Sequence, residues 1–535
     1  MMKESSPASG RPKTGSLCAW PAQGWVAGLL TQSSERRIVL TLTGLALAVR
    51  LYLVLTNYCI SADGVAYVRM ARLFAAGDWA GGLSSVFSPL YPMLIALAHH
   101  AVPDWELAGS LVSMTFGVAT VPAVYLLARE VHGGRDLAAG AAALTAIHPD
   151  LAGYSASVLT EAGFIFLVVA AVYLVVRGVK ARRAPSIFVA GLVSGIAYLY
   201  RTEGIGLPVV LAAFLALGPL AWGEWRLGFA ARATVACVAA FVLVASPYLI
   251  YLRLATGHWI IGRELGAAIT YKIGEVSRDG AHWRALAFSR YVPLLATLRQ
   301  EPALYLKKAA LDFAHSFYDF VQVIGPLFAV ALLVGLCRRG RAVLTEWSEA
   351  LPAAIVSFYF CGLALLYTGR RFLAHYIVLT FGWVALGVAA MAVWLGRRDL
   401  PGERRLPAGA LLVGLALATL PRTLWPLGYD MRGYREAGAE IARAPAPGWA
   451  VVSTDSRVAF YAGAEHMELP LSPKLDLCEW LEAHPQAGYV MLTSREEERA
   501  ANLARARCLA LVRRYPRYGR GYYDLFRVLA LPRRP

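Results

Sequence analysis

Charge is what this sequence has least of for its size. Only 16% of its 535 residues are Asp, Glu, Lys or Arg, while 58% are hydrophobic, and a chain so composed cannot cover one soluble core with a water-facing surface. Metal-binding spacing is missing as well. The seven cysteines, Cys18, Cys59, Cys237, Cys337, Cys361, Cys478 and Cys508, form no CxxC, and the histidines form neither HxxxH nor HExxH; no structural metal is expected. No Walker loop or GxGxxG follows a strand, which removes the common nucleotide-binding classes. The net charge of +17 would ordinarily point to nucleic acid. Here the basic residues gather at the ends of apolar runs, where membrane proteins carry them, so nucleic acid is not an expected partner.

What is present is a series of apolar runs, each close to the roughly 20 residues that cross a ~30 Å hydrocarbon layer. Eleven are read as transmembrane helices: Ile38–Thr56, Leu107–Ala128, Leu137–Leu151, Val158–Val176, Ile187–Leu199, Ile205–Leu220, Ala233–Tyr251, Val323–Leu336, Pro352–Tyr367, Tyr376–Leu395 and Pro407–Leu420. The first begins far from Met1 and reads as a retained anchor rather than a cleaved signal. Arg36 and Arg37, Arg129 and Arg135, Arg177 to Arg183, Arg338 to Arg341 and Arg397 to Arg405 fall in alternate loops. That alternation predicts a cytoplasmic N-terminal tail (1–37), a membrane domain (38–428) with long outer loops at 57–106 and 252–322, and an extracytoplasmic C-terminal domain (429–535).

From about Tyr429 the composition becomes mixed. The runs Trp449–Thr454, Gly488–Thr493, Cys508–Val512 and Tyr522–Leu531 read as strands, and Gly433–Ala444, Lys474–Ala483 and Arg495–Arg507 as helices. A small layered α/β domain is the economical reading. Cys478 and Cys508 both fall in it, and a disulfide between them is open to the tail.

The ionisable residues that matter lie at one face of the predicted bundle. The first outer loop carries Ser61-Ala62-Asp63-Gly64-Val65-Ala66-Tyr67 and then Ser88-Pro89-Leu90-Tyr91-Pro92; Glu161, the pair Arg201 and Glu203, and Arg370, Arg371 and His375 fall on the same side. Charges at or inside membrane spans are costly and tend to be functional. Two readings of Asp63 stay open: an acid held over a cavity at membrane level, or the N-cap of the helical run that follows it. Arg50, inside the first span, is given a structural role, snorkelling or pairing with a neighbouring helix.

In order and spacing these segments, with Leu159-Thr160-Glu161, Tyr200-Arg201-Thr202-Glu203-Gly204, Gly369-Arg370-Arg371-Phe372 and Ser453-Thr454-Asp455 followed by Phe460-Tyr461-Ala462-Gly463, resemble the GT-C superfamily of polyprenyl-phosphate-sugar-dependent glycosyltransferases, which includes protein O-mannosyltransferases and the lipid A aminoarabinose transferase. The resemblance implies a polytopic α-helical membrane enzyme of the inner membrane with a C-terminal α/β domain. It implies inverting transfer of a sugar from a polyprenyl-phosphate donor to a lipid, glycan or protein acceptor. Asp63, Glu161 and Glu203 would then be the catalytic carboxylates, and Arg201, Arg370, Arg371, Tyr67, Tyr91 and His375 the substrate contacts. No cofactor is required. Many relatives carry paired acids in the first loop, Asp-Glu or Asp-x-Asp, whereas Gly64 follows Asp63 here; a magnesium or manganese ion would have to draw its oxygen ligands from separate loops, with Glu161 or Glu203 the second carboxylate. Two other classes compete: a lipid-linked-sugar flippase or transporter, and a non-catalytic glycolipid-binding envelope protein. A transporter predicts midplane polar groups and repeated halves, and neither is evident in the sequence.

Overall fold

The computed structural model describes residues 35–263, 299, 301–366, 369–396, 408–443, 450–469, 476–494, 496, 507–517 and 521–529. Among them, seven helices are long and apolar enough to cross a membrane: Glu35–Leu55, Trp105–His132, Glu161–Lys180, Thr202–Ala221, Leu227–Thr256, Trp347–Leu365 and Arg370–Leu395. An eighth span results if Pro302–Ile324 and Pro326–Arg339, bent by 104° at Gly325, are taken together. Ala184–Tyr200 and Gly409–Thr423 are apolar but shorter. Each of the eleven regions expected to span contains helix, but Val158–Val176 is helical only from Glu161 and Val323–Leu336 is broken at Gly325. Leu137–Leu151 is not one continuous helix: Arg135–Ile147 ends at His148, and Pro149 opens a new helix to Ser155, because proline suits a helix's first turn and breaks its interior.

The helices pack through small residues. Ala184–Tyr200 lies against both Glu161–Lys180 and Leu227–Thr256. Pro326–Arg339 meets Phe381–Gly396, where Gly335 sits on the Trp383 carbonyl and Gly387 on that of Ala331. Close backbone approach of this kind is how helices gain dispersion contacts where lipid is as apolar as the side chains. Arg50 is 1% exposed, donating to Ser155 Oγ at 3.0 Å and to the carbonyls of Ala146 (2.8 Å) and Thr145 (3.2 Å). It ties the first span to a neighbouring helix end, one of the two structural roles expected.

Among the described residues the two long loops carry helices: residues 57–106 contain Ala62–Ala75, Trp79–Gly82 and Leu90–His99, and Pro302–Ile324 begins within the second. The two loops touch where Arg263 N–H donates to the Ser85 carbonyl at 2.8 Å, and the helix before the second loop reaches the first through the Tyr248 hydroxyl, which donates to the Ser84 carbonyl at 2.7 Å.

Among the described residues, the basic groups around Arg129, Lys180 and Arg339 gather at one end of the bundle, pinned by Arg129–Glu35, Lys180–Glu130 (3.0 Å) and Arg339–Glu349 (3.1 Å). Glu161 begins the helix that Lys180 ends, so the Glu161 end is the opposite face.

The C-terminal unit is a five-stranded sheet, β1 (Ala450–Ser453), β2 (Glu465–Glu468), β3 (Ala487–Thr493), β4 (Leu509–Arg517) and β5 (Gly521–Val528), in the order β2-β1-β3-β5-β4. β1 pairs parallel with β2 and β3; β5 pairs antiparallel with β3 and β4. Strand alternation splits its core. Val451, Tyr489, Met491 and Leu525 face helices Arg432–Ala442 and Arg457–Ala462, while Val452, Val490, Leu492 and Phe526 face Leu477–Glu482. β2 and the helix Arg457–Ala462 were not expected from the sequence; the expected helix Arg495–Arg507 lies largely outside the described residues. Cys478 and Cys508 form a disulfide, with Cα atoms 5.6 Å apart.

Candidate active site

Four chain segments far apart in sequence bring five charged groups together at the end of the bundle away from the basic clusters. Asp63 stands in the first turn of helix Ala62–Ala75, Glu161 is the first residue of Glu161–Lys180, Arg201 and Glu203 occupy the turn after Ala184–Tyr200, and Arg371 stands in the first turn of Arg370–Ile377. An acid in a helix's first turn is favoured by the helix dipole, whereas a cation there is opposed by it. Arg371 therefore depends on its carboxylate partners.

Those partners are specific. Arg371 Nη1 donates to Asp63 Oδ2 and its Nε to Glu161 Oε1. Arg201 Nη1 donates to the same Glu161 oxygen at 3.1 Å and to Thr160 Oγ1 at 2.6 Å, while its Nη2 reaches Glu203 Oε1 at 2.8 Å. Tyr359 holds the turn from outside by donating to the Glu203 carbonyl at 2.9 Å. Gly204 makes this turn feasible, since a Cβ there would come within 2.5 Å of the Tyr198 nitrogen. Arg201 also lies 5.5 Å from the Phe372 ring centroid. Among the described residues, Arg371 Nη2, Arg201 Nε and Glu161 Oε2 have no hydrogen-bond partner.

The N-cap reading of Asp63 is overturned. Ser61 is the cap, its Oγ accepting from Gly64 N–H at 3.0 Å and donating to the Val158 carbonyl at 2.9 Å. The Asp63 side chain is thus released from capping and remains 35% exposed.

Glu161, expected among the catalytic carboxylates, lies inside the cluster and is 0% exposed beneath the two arginines. The remaining expected site residues fall outside the cluster. Arg370 is 55% exposed and turns to Asp319 at 3.3 Å and the Tyr318 ring, away from the cluster. Tyr91 spends its hydroxyl on the Gly109 carbonyl (3.0 Å) and Ser113 Oγ (2.8 Å) in the core. Tyr67 packs edge-on against Tyr91 and Phe87, and burial pushes its hydroxyl pKa up. His375 is fully buried one turn behind Arg371, edge-on to Phe164 and Tyr376. Sequence reasoning did not single out Thr160 as a partner of Arg201 or Tyr359 as the residue that holds the Glu203 turn.

Beside the cluster lies a largely apolar cavity of about 600 Å³, lined by Tyr154, Leu159, Pro421, Trp425 and Leu427, with the Asp150–Arg422 pair (3.0 Å) at its wall. Among the described residues no group of three His, Cys, Asp or Glu side chains is placed to hold a metal ion.

A helical membrane bundle with clustered arginines and carboxylates at one end and an α/β domain beyond it defines a multi-pass membrane protein. Residues 87–251 match the family described as dolichyl-phosphate-mannose-protein mannosyltransferase. Among solved structures the chain is similar to ArnT from Cupriavidus metallidurans bound to undecaprenyl phosphate (TM-score 0.57, 14% identity, covering 92% of this chain and 98% of that one). It is also similar to the Archaeoglobus fulgidus oligosaccharyltransferase in complex with Zn and sulfate (TM-score 0.56, 16% identity, covering 85% and 68%). Among curated proteins no relative matches. At these identities the likeness to solved structures is one of fold, and it is the GT-C fold that the order of the motifs implies.

Proposed function

We propose that this chain is an inverting glycosyltransferase of the inner membrane that moves a sugar from a polyprenyl-phosphate donor to a lipid, glycan or protein acceptor on the extracytoplasmic face. The observation that carries this reading is the pairing of a half-exposed carboxylate, Asp63, with Arg371, whose Nη2 has no partner among the described residues. A base and an anion-binding donor stand side by side at the end of an apolar bundle. The matched mannosyltransferase family and the undecaprenyl phosphate carried by the ArnT neighbour support the donor class. The clustering of basic loops at the other end supports a cytoplasmic N-terminus.

In this scheme the donor phosphate engages Arg371 and Arg201, whose planar guanidinium groups suit phosphate oxygens. Engagement draws Arg371 from Asp63. The freed carboxylate accepts the acceptor hydroxyl's proton as that oxygen attacks the anomeric carbon; the bond from carbon to phosphate oxygen breaks, and polyprenyl phosphate leaves with the electron pair. That leaving group is already a stable anion and needs charge neutralisation rather than a strong acid. Attack from the opposite face inverts the anomeric centre in one displacement. Glu161 and Glu203 hold the arginines in register. No cofactor enters the scheme, and a divalent cation would have to displace an arginine from its carboxylate. A flippase would place its polar groups near the bilayer midplane; this cluster stands at helix ends.

The test uses purified protein in nanodiscs with polyprenyl-phosphate sugars extracted from host membranes and an envelope glycolipid fraction, following polyprenyl phosphate release by mass spectrometry. Acceptor-dependent release is expected. Binding of these lipids without release would overturn the enzyme reading in favour of a lipid-binding protein.

A further inference from the structure

The segment that carries Asp63 is fastened to both the bundle and the C-terminal domain. Tyr58 N–H donates at 2.9 Å to the carbonyl of Leu427, just beyond the helix Ala408–Thr423, and Ile60 N–H donates to the Tyr461 hydroxyl of the C-terminal domain at 2.7 Å. One residue on, Ser61 turns the other way to bond Val158 and cap the helix of Asp63. The Tyr461 hydroxyl, having accepted from Ile60, donates to Glu106 Oε2 at 3.1 Å. Glu106 lies in the first turn of the span Trp105–His132 and is also paired with Arg435, whose guanidinium stands 4.8 Å from the Tyr461 ring centroid. The next residue back, Phe460, lies 5.6 Å beneath Arg72, on the same helix as Asp63. Burial pushes the Tyr461 hydroxyl pKa up, which keeps it a donor and an acceptor at once.

We propose that Tyr461 is a positioning residue: through Ile60 it sets the height at which the C-terminal domain holds Asp63 against Arg371. This rests on the reading of Asp63 as base. A relay of two hydrogen bonds through one hydroxyl, continued by the Glu106–Arg435 pair, polarises each member and fixes its geometry more tightly than packing alone. Arg201 and Arg371, which would hold the donor phosphate, stand on other elements. Loosening Tyr461 should therefore disturb turnover while sparing phosphate affinity.

Tyr461→Phe keeps the ring and its contact with Arg435 and removes only the hydroxyl; Glu106→Gln, which removes the charged acceptor of that hydroxyl, serves as a second variant. Both are compared with wild type and Asp63→Asn in nanodiscs. By hydrogen-exchange mass spectrometry the peptide spanning 58–64 should exchange about three- to tenfold faster in Tyr461→Phe, the factor one lost hydrogen bond confers, with β3 and β5 unchanged. Polyprenyl phosphate release from the extracted donors should fall about tenfold, while affinity for added undecaprenyl phosphate stays within about twofold. Unchanged exchange at 58–64, or faster exchange with wild-type release, overturns the proposal while Asp63→Asn remains inactive. Full release by Asp63→Asn would instead remove the base reading and this proposal together.

Discussion

Glu161 and Asp63 both bond Arg371, yet the structure assigns them opposite costs. Replacing Glu161 by Gln removes the only charge on a fully buried side chain that serves two guanidinium groups, Arg201 at 3.1 Å and Arg371. Breaking a buried ion pair from one side costs about 3–5 kcal/mol. Arg201 keeps Glu203 at 2.8 Å, and Arg371 is 32% exposed and keeps Asp63, so the expected loss falls to about 2–3 kcal/mol. Asp63→Asn acts on a side chain 35% exposed, where an ion pair contributes about 0–1 kcal/mol. The assay is reversible unfolding in mixed micelles with increasing dodecyl sulfate, read by tryptophan fluorescence. Glu161→Gln should shift the midpoint clearly and Asp63→Asn barely. Equal midpoints for the two variants would refute the division between a carboxylate that organises the site and one that is free to react.

Arg371 and Arg370 should separate equally well. Arg371→Ala is expected to weaken binding of undecaprenyl phosphate at least tenfold, with partial recovery in Arg371→Lys, which lacks the planar fork. Arg370→Ala, losing an exposed pair with Asp319, should alter binding less than twofold; a larger loss from Arg370 would relocate the anion site. The topology is tested by cysteines at Ala76, Glu468 and Ala181, all exposed, in a background without Cys18 and the exposed Cys337 and Cys361. Cys59 can stay, because burial pushes its thiol pKa up to about 12 and keeps it unreactive. An impermeant thiol reagent on intact spheroplasts should label positions 76 and 468 and spare 181; the reverse pattern would place the site in the cytoplasm.

The convergence of Asp63, Glu161, Arg201, Glu203 and Arg371 was legible because each stands at the end of an apolar run and the alternation of basic loops puts those ends on one side. What could not be read is direction. Arg370 and Arg371 are neighbours in sequence, but successive helical side chains point about 100° apart, and the positions of Asp319 on one side and of Asp63 and Glu161 on the other decide which one faces the cluster. Ser61 and Asp63 both cap helices well, and the choice between them is made by the Val158 carbonyl, nearly a hundred residues on. Tyr91 was expected as a substrate contact, and the bond its hydroxyl makes with Ser113, on another helix, could not be read from its own segment. β2, with the sequence Glu-His-Met-Glu, carries no apolar alternation and exists through its parallel pairing with β1. The helix Arg457–Ala462 has six residues, fewer than two turns, so no periodicity could announce it.

The central claim is that Asp63 removes the acceptor's proton. Asp63→Asn keeps the size of the side chain and a hydrogen-bonding oxygen toward Arg371, and Ser61, not residue 63, caps the helix. Folding should therefore survive while the base is lost. Sugar transfer from extracted polyprenyl-phosphate donors, measured in nanodiscs with variant and wild type matched for folded protein, is predicted to fall by roughly two to four orders of magnitude. Turnover by the Asn variant within a few-fold of wild type would contradict the assignment and leave Glu203, 16% exposed, and the buried Glu161 as the next carboxylates to test.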